Sequence, residues 1–532
     1  MIYFKPKQET LKAILICLLI SIIWWLSYIL FRDAPEWDNM EELVWANSFE
    51  IGYQKHPPLP TWILYPLTKV FGKVLWLPIA LGLLSVFATQ VISYFLYRDI
   101  QANATHQIPS YAPLVAVLTA SPIIYYTIRG GDFNHNATQL WAIAAMFLFY
   151  YRAWKVELCL KKYLYWAGFG ACCGVVFLSK YSVLIQMGVL LGHFFIIGQW
   201  KNPRALTGAL ISILSFFALT SAHFLWLYEQ TLLRQGPIFY AEMVMQDQTN
   251  YWMELINLFT GFMMTQIYRL MPILVVIFML RKLQLKTSKI SHNLVEKTWW
   301  QNISKGDQLF LLMITIGPSV LAMCIGIFLD VRIEAKWAVT FFISIGTVGW
   351  MFVRSDLNLK KLISWVLAGH LIFALLYGVV TGVVANAVGH QGRNNYPSKE
   401  LSSRIQARWE EHPEVTAGQP MRLIVGDTWT AGNVMLHSPK HGTTAKVLID
   451  ADLGLSPWLT IRDLNQPMMV VINRPSTPLG KEIRQSEPVA QIVNELFLNA
   501  SIKGRESIPW TTHQEVPPLE IDWAIIPFIK KP

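Results

Sequence analysis

Long apolar runs separated by short polar segments fill the first 385 residues of the chain. A helix needs about 20 predominantly apolar residues to cross a bilayer. Eleven runs approach that length: residues 10–31, 75–97, 111–128, 136–151, 163–178, 182–198, 206–228, 257–280, 308–329, 337–353 and 362–385. The pattern predicts a mostly α-helical, polytopic membrane protein of about eleven spans, with Pro122 inside the third and Arg269 inside the eighth.

The pattern changes after residue 385, where the apolar runs become short. They read RLIVGD (422–427), KVLID (446–450), MMVVIN (468–473) and WAIIPF (523–528), with helix-like stretches such as Ser398 to His412 and Pro488 to Ala500 between them. Short strands alternating with helices predict a small α/β domain. We therefore expect a transmembrane module at 1–385, with a first outer loop at 32–74, and a soluble domain at 386–532.

Composition and charge agree with this division. The chain is 53% hydrophobic and only 15% charged, which is typical of a membrane protein. Its net charge of +10 does not indicate a nucleic-acid partner, because the charges lie in alternate loops between apolar runs. If the N-terminus is cytoplasmic, the inner segments hold nineteen Lys and Arg and the outer loops nine. This positive-inside bias places loop 32–74 and the C-terminal domain outside the membrane.

The five cysteines give no sign of a disulfide framework or a zinc site. Four lie in apolar runs and one in a predicted cytoplasmic loop: Cys17, Cys159, Cys172, Cys173 and Cys324. Two histidines lie in the outer loops, His56 and His135, but their spacing is not that of a zinc motif. We predict no dedicated metal site from the sequence, and a divalent cation held by the acidic loop stays an open alternative.

The first outer loop carries the densest group of candidate catalytic residues. It contains six acids, followed by a basic pair and two prolines: Asp33, Glu36, Asp38, Glu41, Glu42, Glu50, Lys55, His56, Pro57 and Pro58. Acids beside hydrocarbon cost free energy and are usually functional. A carboxylate at this place is suited to act as a general base. The alternative is a solvated acidic loop without a catalytic role.

Later outer loops add charges on the same side of the membrane. The loop RGGDFNHN (129–136) contains Asp132, SKYS (179–182) contains Lys180, and DVRIEAKW (330–337) contains Arg332 and Lys336. An acid beside Lys and Arg is a combination suited to a phosphate ligand with a proton acceptor nearby. Alternatively, Lys180 extends to the lipid headgroups, and Arg332 and Lys336 bind lipid phosphates nonspecifically.

Several of these motifs together resemble bacterial glycosyltransferases with the GT-C fold, of the family 39/83-like kind that includes lipid A aminoarabinose and core galacturonosyl transferases. The resembling segments are DNMEELVW (38–45), GYQKHPPLPTW (52–62), GGDFNHN (130–136), LSKY (178–181), the segment around Lys336-Trp337, GDTWTAGN (426–433) and IDADLGLSPW (449–458). The resemblance implies transfer of a sugar from a polyprenyl-phosphate donor to a lipid or glycan of the cell envelope, for example in lipopolysaccharide modification. It implies a periplasmic active site in the bacterial inner membrane.

The resemblance also implies roles for single residues. Asp38 matches the family's general base, and Asp132 matches the second-loop acid. The family's usual Asp-Glu pair is Asp38-Asn39 here, so Glu41 or Glu42 is expected to compensate. His56, preceded by Lys55, stands where the family often has a phosphate-binding Lys. We expect Lys180, Arg332 and Lys336 to complete the phosphate site.

Two other functions fit parts of the pattern. A transporter or flippase of a lipid-linked substrate would need ionisable residues deep within the spans, whereas the charges here gather at one face. A transferase that moves a phosphate-containing group would need a similar site, and only the family resemblance disfavours it. We therefore expect an inverting glycosyltransferase that needs no nucleotide, with the C-terminal domain acting as a rigid lid or acceptor platform.

Overall fold

A computed structural model gives the fold and describes residues 6–157, 159–238, 258–285, 297–329, 333–438, 445–486, 488–510 and 516–527. Helices dominate the residues before 388. They are α1 (Pro6–Phe31), α2 (Trp37–Trp45), α3 (Leu59–Phe71), α4 (Trp76–Ala102), α5 (Ala112–Ala120), α6 (His135–Lys155), α7 (Cys159–Phe177), α8 (Val183–Ile196), α9 (Pro203–Leu232), α10 (Met264–Leu270), α11 (Pro272–Leu283), α12 (Lys305–Leu329) and α13 (Leu359–Gly378). π-Helical turns at Leu258–Met263 and Val379–Val384 extend α10 and α13.

The predicted spans are only partly continuous helices. Within the described ranges, six helical segments are long and apolar enough to cross a membrane: Gln8–Phe31, Trp76–Ala102, Pro203–Leu232, Thr260–Leu283, Lys305–Phe328 and Leu359–Ala387. The protein is therefore a multi-pass membrane protein, but the predicted count of eleven spans is not confirmed. The helix α6 begins with polar residues and is buried along most of its length.

The third and tenth predicted spans are irregular and pack against each other. The third contains only the short helix α5, and the tenth forms two 3-10 segments, Ala335–Thr340 and Ile345–Phe352. The indole N–H of Trp350 donates to the carbonyl oxygen of Ala112 at 2.9 Å. A Cβ atom on Gly346 would lie 2.0 Å from the carbonyl oxygen of Ala116. Irregular backbone is tolerated at membrane depth where protein covers it, and these two segments cover each other.

The C-terminal domain is built on a five-stranded sheet. Its strands are β1 (Leu423–Gly426), β2 (Lys446–Ile449), β3 (Met468–Asn473), β4 (Ile502–Ile508) and β5 (Leu519–Ile526), in the order β2-β1-β3-β5-β4. The first three are parallel, and β5 and β4 are antiparallel to their neighbours. Its longer helices are α14 (Ser398–Glu410), α15 (Thr428–Leu436), α16 (Pro478–Ser486) and α17 (Gln491–Asn499). The predicted small α/β domain is confirmed, and β4 is a strand that the sequence did not reveal.

The first outer loop and the C-terminal domain share one hydrophobic core. Met40 and Val44 of α2 are fully buried in the same cluster as the sheet residues. The ring of Trp37 stacks on that of Trp429, with centroids 5.6 Å apart. A Cβ atom on Gly432 would lie 2.5 Å from the sulfur of Met40, so α15 can approach α2 this closely only with glycine there. The helix that carries Asp38 is therefore held by the C-terminal domain.

Candidate active site

The loop that follows α1 turns at once into α2, whose first turn carries Asp38. One oxygen of the Asp38 carboxylate, Oδ2, accepts a hydrogen bond of 2.7 Å from the side-chain amide of Asn134. The next residue, Asn39, joins the same two loops. Its amide donates to the carbonyl oxygen of Gly131 at 3.0 Å and its Oδ1 accepts from the backbone N–H of Phe133 at 2.6 Å. Because both contacts use different ends of the amide, an acid at this position would lose one of them.

Two ion pairs lie near Asp38, one with a buried arginine, Arg32, and one with an exposed arginine, Arg129. Arg129 pairs with Asp132 at 2.8 Å, and Arg32 pairs with Glu36 at 2.9 Å. Burial raises the pKa of Asp132, and the neighbouring Arg129 only partly opposes that effect. The second oxygen of Asp132, Oδ1, is buried without a hydrogen-bond partner among the described residues. Asp132 is therefore close to Asp38 but already neutralised by an arginine.

The first turn of α6 organises the other half of the site. Asn134 is the N-cap residue, and its Oδ1 accepts from the backbone N–H groups of Asn136 and Ala137. An asparagine N-cap is among the most favourable, which explains why the helix begins here. The side chains of residues 134, 135 and 136 then contact three different segments. Asn134 reaches Asp38 on α2, the ring of His135 packs against that of His56 before α3, and Asn136 reaches Lys180 before α8.

Two imidazoles and several lysines gather at this turn. The rings of His56 and His135 have centroids 3.6 Å apart. Lys180 donates to Oδ1 of Asn136 at 2.5 Å and lies over the ring of Trp337 at 5.7 Å. Burial, together with Lys336, lowers the pKa of Lys180 to about 7. Burial, followed by Lys180, Lys55 and Lys336, lowers the pKa of His56 well below its ordinary value.

The remaining acids of the loop are engaged in local contacts. Glu41 pairs with Lys55 at 2.8 Å. Glu42 accepts a hydrogen bond of 2.8 Å from the hydroxyl of Thr61, and burial raises the pKa of its carboxyl group. These contacts tie α2 to the segment that leads into α3. Neither Glu41 nor Lys55 faces the site as an isolated charge.

The structure thus gathers most of the predicted site residues around one helix turn. Asp38, Asp132, His56 and Lys180 lie around the start of α6, and Lys336 is close enough to affect Lys180 and His56 electrostatically. Glu41 and Lys55 form a pair of their own, and Arg332 lies outside the described residues. Residues that the prediction did not include in the site are Asn134, His135, Asn136, Arg32 and Arg129. Four of these belong to the RGGDFNHN stretch, but their roles depend on which segment of the chain each one contacts.

A separate cavity of about 940 Å³ lies where the last membrane helix meets the C-terminal domain. Asp33, Asn386, Ser398, Lys399 and Ser507 are among its lining residues. Asp33 lies between Arg32 and Glu36 in the chain, so the cavity borders the segment that leads to Asp38. In the described ranges, no three His, Cys, Asp or Glu side chains are placed to hold a metal ion.

The chain is similar to known proteins in part of its sequence and in its fold. Residues 55–226 match the family model described as dolichyl-phosphate-mannose-protein mannosyltransferase. The structure is similar to that of ArnT from Cupriavidus metallidurans in the apo state, with 12% identity, a TM-score of 0.53, and 96% of this chain and 97% of that one covered. It is similar to the same protein bound to undecaprenyl phosphate, with 12% identity, a TM-score of 0.52 and the same coverage. No curated protein sequence matches the chain significantly.

These similarities confirm the predicted GT-C fold. At 12% identity the solved structures establish the fold alone. The matching family model points to glycosyl transfer, and its range contains His56, Asp132 and Lys180. Asp38 precedes that range, so the family match does not bear on the role of Asp38.

The double contact of Asn39 gives a first prediction. Asn39→Asp should lower the thermal stability of the purified protein, because a carboxylate cannot donate to the carbonyl of Gly131. Leaving a buried polar group without its partner costs about 1–3 kcal/mol. Asn358→Asp is the matched control, since Asn358 caps α13 only by accepting from Lys361, which aspartate does equally well. Equal melting temperatures for the two variants in detergent would contradict the role assigned to Asn39.

Proposed function

We propose that this multi-pass membrane glycosyltransferase of the GT-C fold transfers a sugar from a polyprenyl-phosphate donor to a lipid or glycan acceptor of the cell envelope. The observation that carries the proposal is the first turn of α6, which places a carboxylate on one side and a group of basic side chains on the other. A carboxylate can take the proton of the acceptor hydroxyl. The basic groups can hold the phosphate that leaves. The structure of ArnT with undecaprenyl phosphate supports a lipid donor of this kind.

The reaction follows from these two halves. The acceptor oxygen attacks the anomeric carbon, its proton passes to a carboxylate, and the bond from that carbon to the phosphate oxygen breaks. The phosphate of the donor carries one negative charge as a diester and gains a second as it leaves. Lys180, Lys336 and His56 are placed to stabilise that added charge. A single displacement of this kind inverts the anomeric centre.

We assign the base role to Asp38. Its hydrogen-bond partner, Asn134, is a neutral amide, which leaves the charge of the carboxylate available. Asp132 pairs with Arg129, and Glu41 pairs with Lys55, so each of these acids would have to leave a cation before it could take a proton. Asp38 is also only partly buried, whereas Asp132 and Glu41 are buried. Asp132 remains the competing candidate because it lies next to Asp38.

The site is proposed to face the periplasm of a bacterial inner membrane. The excess of Lys and Arg on one set of loops supports a cytoplasmic N-terminus. Alkaline phosphatase fused after the C-terminal domain should therefore be active, because it folds only outside the cytoplasm. An inactive phosphatase fusion, together with a fluorescent cytoplasmic reporter fused at the same point, would reverse the orientation.

A transfer assay tests the base. Asp38→Asn keeps the shape and the contact with Asn134 but removes the proton acceptor, so turnover should fall by about 10²- to 10⁴-fold. Donor binding should change far less, since the carboxylate acts on the acceptor. If Asp38→Asn retains near wild-type turnover while Asp132→Asn is inactive and still binds donor, the base is Asp132. Loss of donor binding in Asp38→Asn would give Asp38 an organising role instead.

Donor binding tests the basic half of the site. Lys180→Ala and Lys336→Ala should each weaken the binding of a polyprenyl-phosphate sugar by about tenfold or more, because hydrogen bonds to charged groups contribute about 1.5–3 kcal/mol. Arg332→Ala extends the test to another predicted ligand. Lys69→Ala is the control, since Lys69 lies at the end of α3 over the ring of Tyr65. Unchanged affinity in both Lys180→Ala and Lys336→Ala would place the phosphate elsewhere.

A further inference from the structure

His56 and His135 form a close pair of imidazoles, and the mechanism above gives a role only to His56. The planes of the two rings are tilted by 34°, and the ring centroids are 3.6 Å apart. His135 is almost fully buried at the first residue of α6. A helix N-terminus favours anions, but here the cap of Asn134 already uses two of its N–H groups. The side chains, not the backbone, must therefore provide the contacts of this pocket.

The hydrogen bonds around His135 fix its proton. An ammonium group only donates, so the atom of Asn136 that faces Lys180 is the amide oxygen. The amide nitrogen of Asn136 then faces Nε2 of His135 at 3.2 Å. Because that amide nitrogen only donates, Nε2 must accept and carries no proton. His135 is therefore held as a neutral imidazole whose remaining N–H is on Nδ1.

The charges that face the two rings are mainly positive. Lys180 and Lys336 come from the turn before α8 and from the segment Ala335–Thr340, and Lys55 precedes His56 and pairs with Glu41. Asp38 acts only at a distance, through its effect on Lys180. Surroundings of this sign repel a metal ion and favour an anion. They also disfavour a charge on His56 while the pocket holds no anion.

We propose that His56 and His135 both bind the phosphate of the donor, and that His56 takes up a proton when the phosphate binds while His135 stays neutral. This inference rests on the proposed function, since it concerns the same donor. The phosphate offsets the charges of the lysines and directly stabilises an imidazolium. His56 can accept a proton without breaking the Asn136 contact, whereas His135 cannot. The charged His56 would then face a phosphate whose negative charge doubles as the sugar leaves.

Calorimetry counts the protons. Titrating the full chain in detergent with undecaprenyl-phosphoryl mannose, at pH 6 in two buffers of different ionisation enthalpy, measures the protons taken up per molecule bound. The probe is a phosphodiester and does not itself titrate near neutral pH. At pH 6 Lys180 is already charged in the free protein, because its pKa is about 7. Uptake at this pH therefore reports on the imidazoles, and we expect about one proton in the wild type.

Single variants separate the two histidines. His56→Gln should bind the probe without proton uptake. His135→Gln should keep the uptake and bind about 2- to 10-fold more weakly, as expected for one lost neutral hydrogen bond. His437→Gln is the control, because burial also lowers the pKa of His437, which lies at the end of α15 in the C-terminal domain. It should match the wild type in affinity and in uptake.

The possible outcomes separate a failure of this inference from a failure of the proposed function. If the wild type does not bind the probe, the proposed donor is wrong. If the wild type binds it without taking up a proton, the function stands and the role of His56 is overturned. Uptake that persists in a folded His56→Gln variant overturns it as well. If that variant does not fold, the wild-type proton count decides alone.

Discussion

The first turn of α6 is the constraint on which the site depends. Three consecutive side chains, at positions 134 to 136, contact α2, the segment before α3 and the turn before α8. A helix turn fixes the directions of these side chains relative to one another. The carboxylate of Asp38 and the ammonium of Lys180 are therefore held at a set separation without touching. Burial of α6 among its neighbours makes that separation rigid, as a catalytic constellation requires.

The position of α2 also depends on the C-terminal domain. Because α2 contributes Met40 and Val44 to the core of the C-terminal domain, that domain cannot lift away without exposing apolar side chains. Exposing such surface costs about 25 cal/mol for each Å². A domain that holds the helix carrying Asp38 in this way is better suited to the predicted fixed platform than to a lid. The stack of Trp37 on Trp429 and the close approach at Gly432 make the same point locally.

The sequence predicted the elements of secondary structure that depend on the local pattern of apolar residues. Apolar runs indicated most of the membrane helices, and three parallel strands of the sheet follow the predicted segments closely. The strand β4 was missed because Lys503 and Arg505 interrupt its apolar pattern at the edge of the sheet. The charged candidates were identified as a group, but not their partners. That Glu41 meets Lys55, or that Asn39 joins two loops, depends on the tertiary arrangement, which one sequence does not display.

The attraction between paired charges explains why the neutral amides of Asn134 and Asn136 occupy the centre of the site. Two opposite charges in direct contact at a partly buried site attract each other strongly, and they would be lost to an incoming substrate. The structure makes such pairs at its edge, where Arg129 meets Asp132 and Lys55 meets Glu41. At the centre, Asn134 and Asn136 contact Asp38 and Lys180 instead, and an amide orients a charge without neutralising it. In the proposed reaction, this arrangement leaves Asp38 to meet the acceptor proton and Lys180 to meet the donor phosphate.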